Sequence, residues 1–298
     1  MVDGLVKIAG PMTVLLRDAM REVLEGWRED LDPRWRGIAS DAELGFDRID
    51  PALALEPWEP IFPARKGKHY PGAPSGAHIF HAFDRLEPDR VRVVVLGQDP
   101  YPCGAFSTGR AFEAGNVASW RELEKMFSVS VRTFMLMIAA ARTGDESYAR
   151  SVAEWPRLRS EIETGDFAMD APGKIADRWV GQGALLLNSA LTLSRFSVEG
   201  DPHQVRGHFP LWRPFIETVL RRLAARDRPT GFIGFGDQAA NALAAAGIES
   251  TEGAAPTTPV ACFLRKHPAR GSEVLSTPNP FVLANRHIEA MGEHPVLW

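Results

Sequence analysis

The sequence predicts an α/β fold, with a single domain built on a central, mostly parallel four-stranded sheet that has helices on both faces. Short apolar segments typical of buried strands alternate with amphipathic helical patterns along the chain, which is the arrangement of parallel βαβ units. The chain has 298 residues, of which 45% are hydrophobic. A chain of this length and composition can bury a sizeable core without disulfide bonds.

The N-terminal part of the chain differs from the rest in charge. Residues 1–50 carry 11 acidic and 7 basic side chains, whereas the remaining chain holds 27 of each. Apolar residues recur at helical spacing over 11–31, and residues 32–75 are rich in Pro, Gly and Asp, as loops are. We therefore expect residues 1–55 to form an acidic helical segment that packs on a core domain of residues 56–298.

The first strand of the predicted sheet covers residues 91–96, an apolar run that ends abruptly in Gly97-Gln98-Asp99-Pro100-Tyr101. A buried strand that delivers a carboxylate and a phenol onto a Gly/Pro turn is more typical of an active site than of a core. Residues 120–142 follow with a helical pattern, with Ser119 at the N-cap position. Residues 143–173 are polar and weakly periodic, so we expect an irregular excursion over the surface.

The second half of the chain supplies the other elements of the sheet and its covering helices. The predicted strands are 184–187, 231–235 and 260–264, and the predicted helices are 212–223, one that begins at Asp237, and 281–290 with Gly292 as its stop signal. The first of these strands ends at Asn188, and the last ends near His267.

Three of the four predicted strands thus end in a polar residue on a turn, namely Asp99, Asn188 and His267. Because parallel strands present their carboxyl ends at the same edge of a sheet, we expect these side chains to converge. An Asn can bind an amide-like edge, a neutral His can donate to an oxygen that gains negative charge, and a carboxylate can stabilise a cation or orient water. This set suits recognition and cleavage of a polar heterocycle, although each residue alone is also common in turns.

Composition excludes several classes of protein. Cys103 and Cys262 are far apart in sequence, which argues against a disulfide framework and for a reducing compartment. Two cysteines are too few for an all-cysteine zinc site or a four-cysteine iron–sulfur cluster. We see no signal peptide and no apolar run of membrane length, so we expect a cytoplasmic protein without a membrane or metal partner.

The net charge of −4 gives no general indication of nucleic-acid binding. The segment from Leu264 to Arg270 is nevertheless locally basic. It is either a strip that contacts an anionic partner or an ordinary solvated loop.

One alternative function follows from the segment Gly234-Phe235-Gly236-Asp237-Gln238-Ala239. Its Gly-x-Gly-x-x-Ala pattern, placed after a strand and before a helix, matches a dinucleotide-binding fingerprint and predicts a nicotinamide-dependent oxidoreductase. The pattern lies on the third strand, however, and no acidic residue stands about 20 residues further on to bind a ribose. The glycines are better explained by close packing of a helix on the sheet.

Several segments, in the same order along the chain, resemble those of uracil-DNA glycosylases of the common bacterial, nuclear and viral group. They are Ile61-Phe62-Pro63, Ile79–Phe83, VRVVVLGQDPYP from Val91, Gly109–Phe112, Leu185–Thr192, His267-Pro268, and Phe281–Asn285 with Gly292. The resemblance extends from about residue 56 to the C-terminus.

This resemblance implies a uracil-DNA glycosylase fold and hydrolytic removal of uracil from DNA by base flipping, which leaves an abasic site. It further implies that no cofactor is needed and that the partner is uracil-containing DNA, single- or double-stranded, bound by a monomer. Asp99 would orient the water and stabilise the sugar oxocarbenium ion, and His267 would support the charge that builds on the uracil oxygen.

The resemblance also assigns residues to substrate and DNA binding. Tyr101 would exclude a thymine methyl group, Phe112 would stack on the flipped uracil, and Asn188 would hydrogen-bond the edge of the base. Gln98 belongs to the same substrate-binding loop. Three further residues, Ser119, Ser189 and Arg270, are assigned to DNA contacts.

The chain departs from the family pattern in three places. Pro102 stands where the family has a histidine, and Ala118-Ser119 stands where a Pro-Pro-Ser clamp is usual. The segment from His267 to Gly271 lacks the Ser-Pro-Leu wedge of the family, and Arg270 is the candidate to fill the vacated stack. We therefore expect a divergent member, with a base range that extends beyond uracil.

Overall fold

The computed structural model describes residues 13–68, 70–126, 129–252 and 258–298. Residues 11–12 of the first predicted helix and residues 127–128 of the second lie outside the described residues.

Four parallel strands form the central sheet, in the order β4-β3-β5-β6. In chain order, the strands are β1 Val14–Leu15, β2 Ala54–Leu55, β3 Val93–Gly97, β4 Ala184–Asn188, β5 Thr230–Phe235 and β6 Val260–Arg265. The short β1 and β2 form a separate antiparallel pair. The four long strands are almost entirely buried, as expected for a parallel sheet that is covered on both faces. The predicted sheet is confirmed, and its pairing is parallel throughout.

The helices surround this sheet. In chain order, they are α1 Leu16–Val23, α2 Trp120–Met126, α3 Val129–Thr143, α4 Trp155–Thr164, α5 Pro172–Gly181, α6 Phe209–Ala224, α7 Asp237–Ala245, α8 Ser272–Leu275 and α9 Pro280–Ala290. The predicted helices of the second half of the chain are confirmed within a few residues. Ser119 occupies the expected capping position, where its hydroxyl accepts from the backbone N–H of Glu122 at 3.3 Å.

Two expectations for local structure are wrong. Residues 143–173 are not an irregular excursion, because they contain α4, whose Trp155 and Leu158 are buried one turn apart. The sequence pattern is weak there because only these two positions of the helix are buried. The single helix expected over 11–31 ends at Val23, since Gly26 adopts a φ of +67° and a 3₁₀ turn follows.

Two glycines of β5 show that helices cover both faces of the sheet. A Cβ atom on Gly231 would lie 3.2 Å from the Cβ of Ala284 in α9, and one on Gly234 would lie 2.7 Å from Leu243 in α7. Positions three apart on a strand face opposite sides. Therefore α9 and α7 pack on opposite faces, and the glycines permit this close approach.

Each face carries its own aromatic cluster. On the α9 side, the ring of Phe134 in α3 lies 5.2 Å from that of Phe281 and 5.9 Å from that of Trp179 in α5. On the other side, Phe80 packs against Trp212 and Phe215 of α6 at 5.8 Å each. Burial of such large rings supplies much of the hydrophobic stabilisation of a domain.

The N-terminal segment contributes directly to the second cluster. Trp27 stacks on Phe80 at 5.6 Å, and Trp35 contacts Phe83 edge-on at 4.9 Å. The indole N–H of Trp35 also donates to the carbonyl of Leu86 at 2.6 Å. The described residues before 56 thus share the core of the main domain, while the division at 55/56 stays a prediction.

Replacing Trp35 with Ala should destabilise the protein by roughly 3–5 kcal/mol, because the side chain is fully buried and its N–H bond is lost with it. The matched control is Trp58→Ala, since Trp58 is 74% exposed and should change stability by less than about 0.5 kcal/mol. Urea unfolding monitored by circular dichroism measures both. Equal effects of the two substitutions would contradict the role given to Trp35.

Candidate active site

The carboxyl ends of the four parallel strands bring the predicted polar residues to one edge of the sheet. Gly97 pairs with Asn188 at the last rung between β3 and β4, and Phe235 pairs with Arg265 at the last rung between β5 and β6. Asp99 and His267 follow these rungs by two residues. Between β3 and β5 the direction in which strands are added to the sheet reverses, which is where ligand crevices form in open α/β sheets.

Asp99 is half-buried, and its carboxylate accepts a hydrogen bond of 2.6 Å from the side-chain amide of Gln204. Burial raises the pKa of Asp99 to about 6, and the hydrogen bond from Gln204 opposes part of that rise. An ionised carboxylate in a poorly solvated position interacts strongly with a nearby positive charge. Asp99 is therefore suited to stabilise a cation or to orient water.

Gln204 belongs to this candidate site, although the sequence pattern does not predict its place there. Its side-chain oxygen accepts from the backbone N–H groups of Asp201 at 2.9 Å and Ser197 at 3.3 Å. These contacts fix the orientation of the amide, so its NH₂ group must face Asp99. Gln204 begins a π-helical turn, Gln204–His208, a rare conformation that is frequent at functional sites. The only sequence signal for this turn is the occurrence of two His and one Gln just before an apolar helical stripe.

A buried chain of hydrogen bonds lies behind the π-helical turn. The indole N–H of Trp212 donates to the hydroxyl of Thr192 at 2.7 Å, and that hydroxyl lies 2.9 Å from Nδ1 of His208. Nε2 of His208 then lies 2.9 Å from the hydroxyl of Ser194. Burial lowers the pKa of His208 to about 3, so this imidazole is neutral at physiological pH.

The same chain ends at a backbone carbonyl, which sets its direction. Nε2 of His203 lies 3.1 Å from the carbonyl oxygen of Ala54, so this nitrogen must carry the proton. Nδ1 of His203 therefore accepts from the hydroxyl of Ser194 at 2.9 Å, which leaves the Ser194 oxygen to accept from His208. Burial lowers the pKa of His203 as well. Every group in the chain is satisfied when both histidines are neutral.

His267 is also presented as a neutral donor. Its Nδ1 accepts from the backbone N–H of Ala269 at 3.2 Å, so Nε2 carries the proton of the neutral imidazole. Burial lowers the pKa of His267 below its ordinary value. The ring therefore offers an uncharged N–H donor.

A cleft of about 430 Å³ lies at this edge of the sheet. Gln98, Gln204, Gly236, His267 and Arg270 all line it. Gln204 thus places the Asp99 carboxylate beside the same cleft that His267 lines. Gly236, with a φ of +86°, lies against the ring-bearing Cβ of His267, where a side chain would be strained and close to the imidazole.

Asn188 and Phe112 adjoin the end of β3. A Cβ atom on Gly97 would lie 2.7 Å from the amide oxygen of Asn188 and 3.4 Å from the ring of Phe112. The side chain of Asn188 is buried at this edge. Phe112 adopts a φ of +60°, a strained conformation of the kind found at functional sites.

Phe112 is half-buried, and one face of its ring stacks on Phe134 with centroids 4.4 Å apart. Tyr101 and Phe112 together line a cavity of about 20 Å³, room for about one water. Burial and the nearby charge of Glu113 raise the pKa of the Tyr101 phenol, so the phenol stays protonated. Phe134 thus supports one face of the Phe112 ring. The stacking surface that the sequence predicts is provided by the same ring.

The remaining predicted contacts have clear local roles. Ser119 is exposed and caps α2, whereas Ser189 is buried and its hydroxyl donates to the carbonyl of Gly97 at 2.9 Å. Arg270 is 62% exposed and pairs with Glu273 at 2.9 Å. The assignment of these three residues to DNA contacts stays a prediction. The hydroxyl of Ser189 is already engaged by the backbone of Gly97.

The glycines of the Gly234–Ala239 segment serve packing. The absence of a side chain at Gly234 leaves room for Leu243 of α7, and its absence at Gly236 leaves room for His267. This agrees with the structural explanation of the dinucleotide-like pattern. Among the residues the structure describes, no group of three or more His, Cys, Asp or Glu side chains could hold a metal ion. Over the same residues, no helix is long and apolar enough to cross a bilayer.

Sequence comparison identifies related enzymes over most of the chain. The chain is 28% identical over 240 residues to the uracil-DNA glycosylase of Mycobacterium tuberculosis strain H37Rv, which covers 78% of this chain and 82% of the relative. It is 27% identical over 280 residues to the uracil-DNA glycosylase of a Parafrankia species, which covers 94% and 96%. These relatives confirm the resemblance drawn from the motifs. No protein-family model matches the chain.

Solved structures share the fold. The UNG of Nitratifractor salsuginis superposes with a TM-score of 0.53 at 22% identity, over 92% of this chain and 95% of that one. The mimivirus uracil-DNA glycosylase gives a TM-score of 0.54 at 16% identity, over 99% and 96%. The single-domain architecture around a parallel sheet is therefore that of the uracil-DNA glycosylase fold.

Replacing Asp99 with Asn should stabilise the protein at pH 8 by roughly 3 kcal/mol. The pKa of Asp99 is about 6 in the folded state against about 4 in an unfolded chain, and each unit corresponds to about 1.4 kcal/mol. Because the folded-state pKa is the higher one, the ionised carboxylate costs stability above pH 6, and this cost disappears below pH 4. Urea unfolding at pH 8 and pH 4 measures the difference.

The control for this prediction is Asp47→Asn. The side chain of Asp47 is 89% exposed, so its replacement should change stability by less than about 0.5 kcal/mol at either pH. A gain for Asp99→Asn that is the same at both pH values would show that the burial of charge is not its cause.

Proposed function

We propose that this protein is a DNA-repair hydrolase that cleaves the N-glycosidic bond of uracil in DNA and leaves an abasic site. The observation that carries the proposal is the position of two groups at one edge of the sheet, namely Asp99, a carboxylate with a pKa raised to about 6, and His267, a neutral N–H donor. Gln204, which holds Asp99, lines the same cleft as His267. The similarity to named uracil-DNA glycosylases supports it and disfavours a nicotinamide-dependent oxidoreductase.

The two groups match the two charges that develop as the bond breaks. The electron pair of the C1′–N1 bond moves onto the uracil ring, which leaves an oxocarbenium ion on the sugar. The ionised carboxylate of Asp99 stabilises this cation and accepts the proton of the water that attacks C1′. The Nε2–H of His267 donates a hydrogen bond to the uracil carbonyl oxygen that gains negative charge.

The neighbouring side chains fit recognition of a pyrimidine. The amide of Asn188 offers one acceptor and two donors, which complement the edge of uracil, whereas cytosine presents a different pattern. A polar pocket that loses such bonds can discriminate by about 10⁴ or more. Tyr101 is the steric barrier to the methyl group of thymine, and Phe112 is the platform on which the base stacks.

The chemistry requires the base to leave the DNA stack, because C1′ is not accessible to these groups inside a duplex. We therefore propose base flipping into the cleft. We also propose that the protein acts as a monomer, in the cytoplasm and without a cofactor. The substitution of Pro102 for the usual histidine supports a base range that extends beyond uracil.

The proposed function is tested by uracil release from a single-stranded oligonucleotide in the presence of a chelator. We expect release by the wild-type protein and a loss of at least about 100-fold in Asp99→Asn, which keeps the shape of the side chain and removes its charge. Asp47→Asn serves as the control for the same change on the surface. Full activity of Asp99→Asn would refute the role of the carboxylate.

The rate of release should fall as the pH drops through about 6, because protonation of Asp99 removes the charge that stabilises the cation. Replacing Gln204 with Leu removes a hydrogen bond that lowers the pKa of Asp99, so the acidic limb of the pH profile should move to higher pH. Single-turnover rates between pH 4.5 and 9 measure this limb. If the acidic limb stays at the same pH in Gln204→Leu, then Gln204 does not influence the pKa of Asp99.

A further inference from the structure

The segment Ser197–Gly200 forms a tight turn, called here the cleft turn, at the mouth of the proposed active site. The backbone N–H of Gly200 donates to the carbonyl of Ser197 at 3.1 Å, and Gly200 has a φ of +95°. Val198 and Glu199 therefore occupy the tip. Val198 is 94% exposed, more than any other large hydrophobic residue among those the structure describes.

The cleft turn lines the same cleft as His267. Val198, Glu199 and Gly200 are among the residues that line it, together with His267 and Arg270. Val205 supports the turn from behind, since a Cβ on Gly200 would lie 3.0 Å from its methyl group. Exposing an entire valine side chain forgoes about 1.5–3 kcal/mol of burial, so the tip offers an apolar group to a binding partner.

The turn is anchored on both sides. The Gln204 side-chain oxygen holds the backbone N–H groups of Ser197 and Asp201. Just before the turn, Arg195 pairs with Glu59 at 2.6 Å. An exposed apolar tip on a fixed base has the geometry of the wedges that DNA-bending proteins insert between base pairs.

The segment Pro268–Arg270, which follows His267, presents no exposed large hydrophobic side chain. Pro268 is buried and Arg270 is paired with Glu273. Charged residues of both signs line the cleft, namely Lys266, Arg270, Glu199 and Asp237. The carboxylate of Glu199 would be repelled by phosphates, whereas Lys266 and Arg270 would attract them.

We propose that Val198 enters the base stack of duplex DNA and fills the space left by the flipped nucleotide. This inference rests on the proposed function and names the residue that opens its substrate. Gln204 connects the two events, because the same amide holds the cleft turn through its oxygen and Asp99 through its nitrogen. Insertion of Val198 therefore acts on the turn that positions the carboxylate.

The test compares uracil release from duplex and from single-stranded oligonucleotides. Val198→Ala should lower kcat/KM on the duplex by at least about tenfold, equivalent to about 1.4 kcal/mol, and on the single strand by less than about twofold. Val198→Leu, which keeps a larger apolar tip, should retain duplex activity. A loss that is equal on both substrates, or absent from the duplex, would overturn the proposal.

The matched control is Leu297→Ala, because Leu297 is 59% exposed at the other edge of the sheet. Its neighbour His294 accepts from Arg92, which precedes β3. This variant should behave as wild type on both substrates. Arg270→Ala forms a further arm, since a duplex-specific loss there, with none in Val198→Ala, would assign the wedge to Arg270 and reject Val198.

A second readout does not depend on catalysis. In the Asp99→Asn background, fluorescence of 2-aminopurine next to the uracil reports unstacking of the base, and Val198→Ala should reduce the increase that follows binding. If the wild-type protein releases no uracil from either substrate, the proposed function fails. The fluorescence arm still decides whether Val198 opens the stack.

Discussion

The side-chain amide of Gln204 is the contact on which the geometry of the site depends. Its oxygen accepts from Ser197 and Asp201, and its nitrogen donates to Asp99 at 2.6 Å. An amide with a fixed acceptor side can offer only donors on its other side, so it holds a carboxylate and not a second donor. The fixed orientation of Gln204 therefore favours an acceptor at position 99. Gln204 itself lies in a turn 105 residues further along the chain than Asp99.

The buried chain of hydrogen bonds explains why this turn stays in place. It runs from an indole donor to a backbone acceptor, and each hydroxyl and neutral imidazole between them both donates and accepts. Protonation of His208 would place two donors against Ser194 and Thr192 and leave one of them without an acceptor, in agreement with its pKa of about 3. His208 thus stays neutral over the pH range in which Asp99 titrates, and the titrations of these two groups are kept apart by burial.

The sequence predicts those parts of the molecule that depend on local patterns. The four core strands and the helices of the second half are recognisable because their residues are buried over long, regular runs. Helix α4 is not, because only Trp155 and Leu158 face the core. Asp99 and His267 are predictable site residues because each follows a strand. Gln204 is not predictable, since its place in the site arises from a π-helical turn and from a contact across the fold.

Two features of the site cost stability. Asp99 is ionised despite its burial, and Phe112 is held at a φ of +60°. Such costs persist only where the surroundings over-determine the conformation. Here the last rungs of a fully buried parallel sheet and the anchored π-helical turn do so. A cation placed beside Asp99 would remove the cost of its buried charge, whereas the backbone strain at Phe112 does not depend on a ligand stacked on its ring.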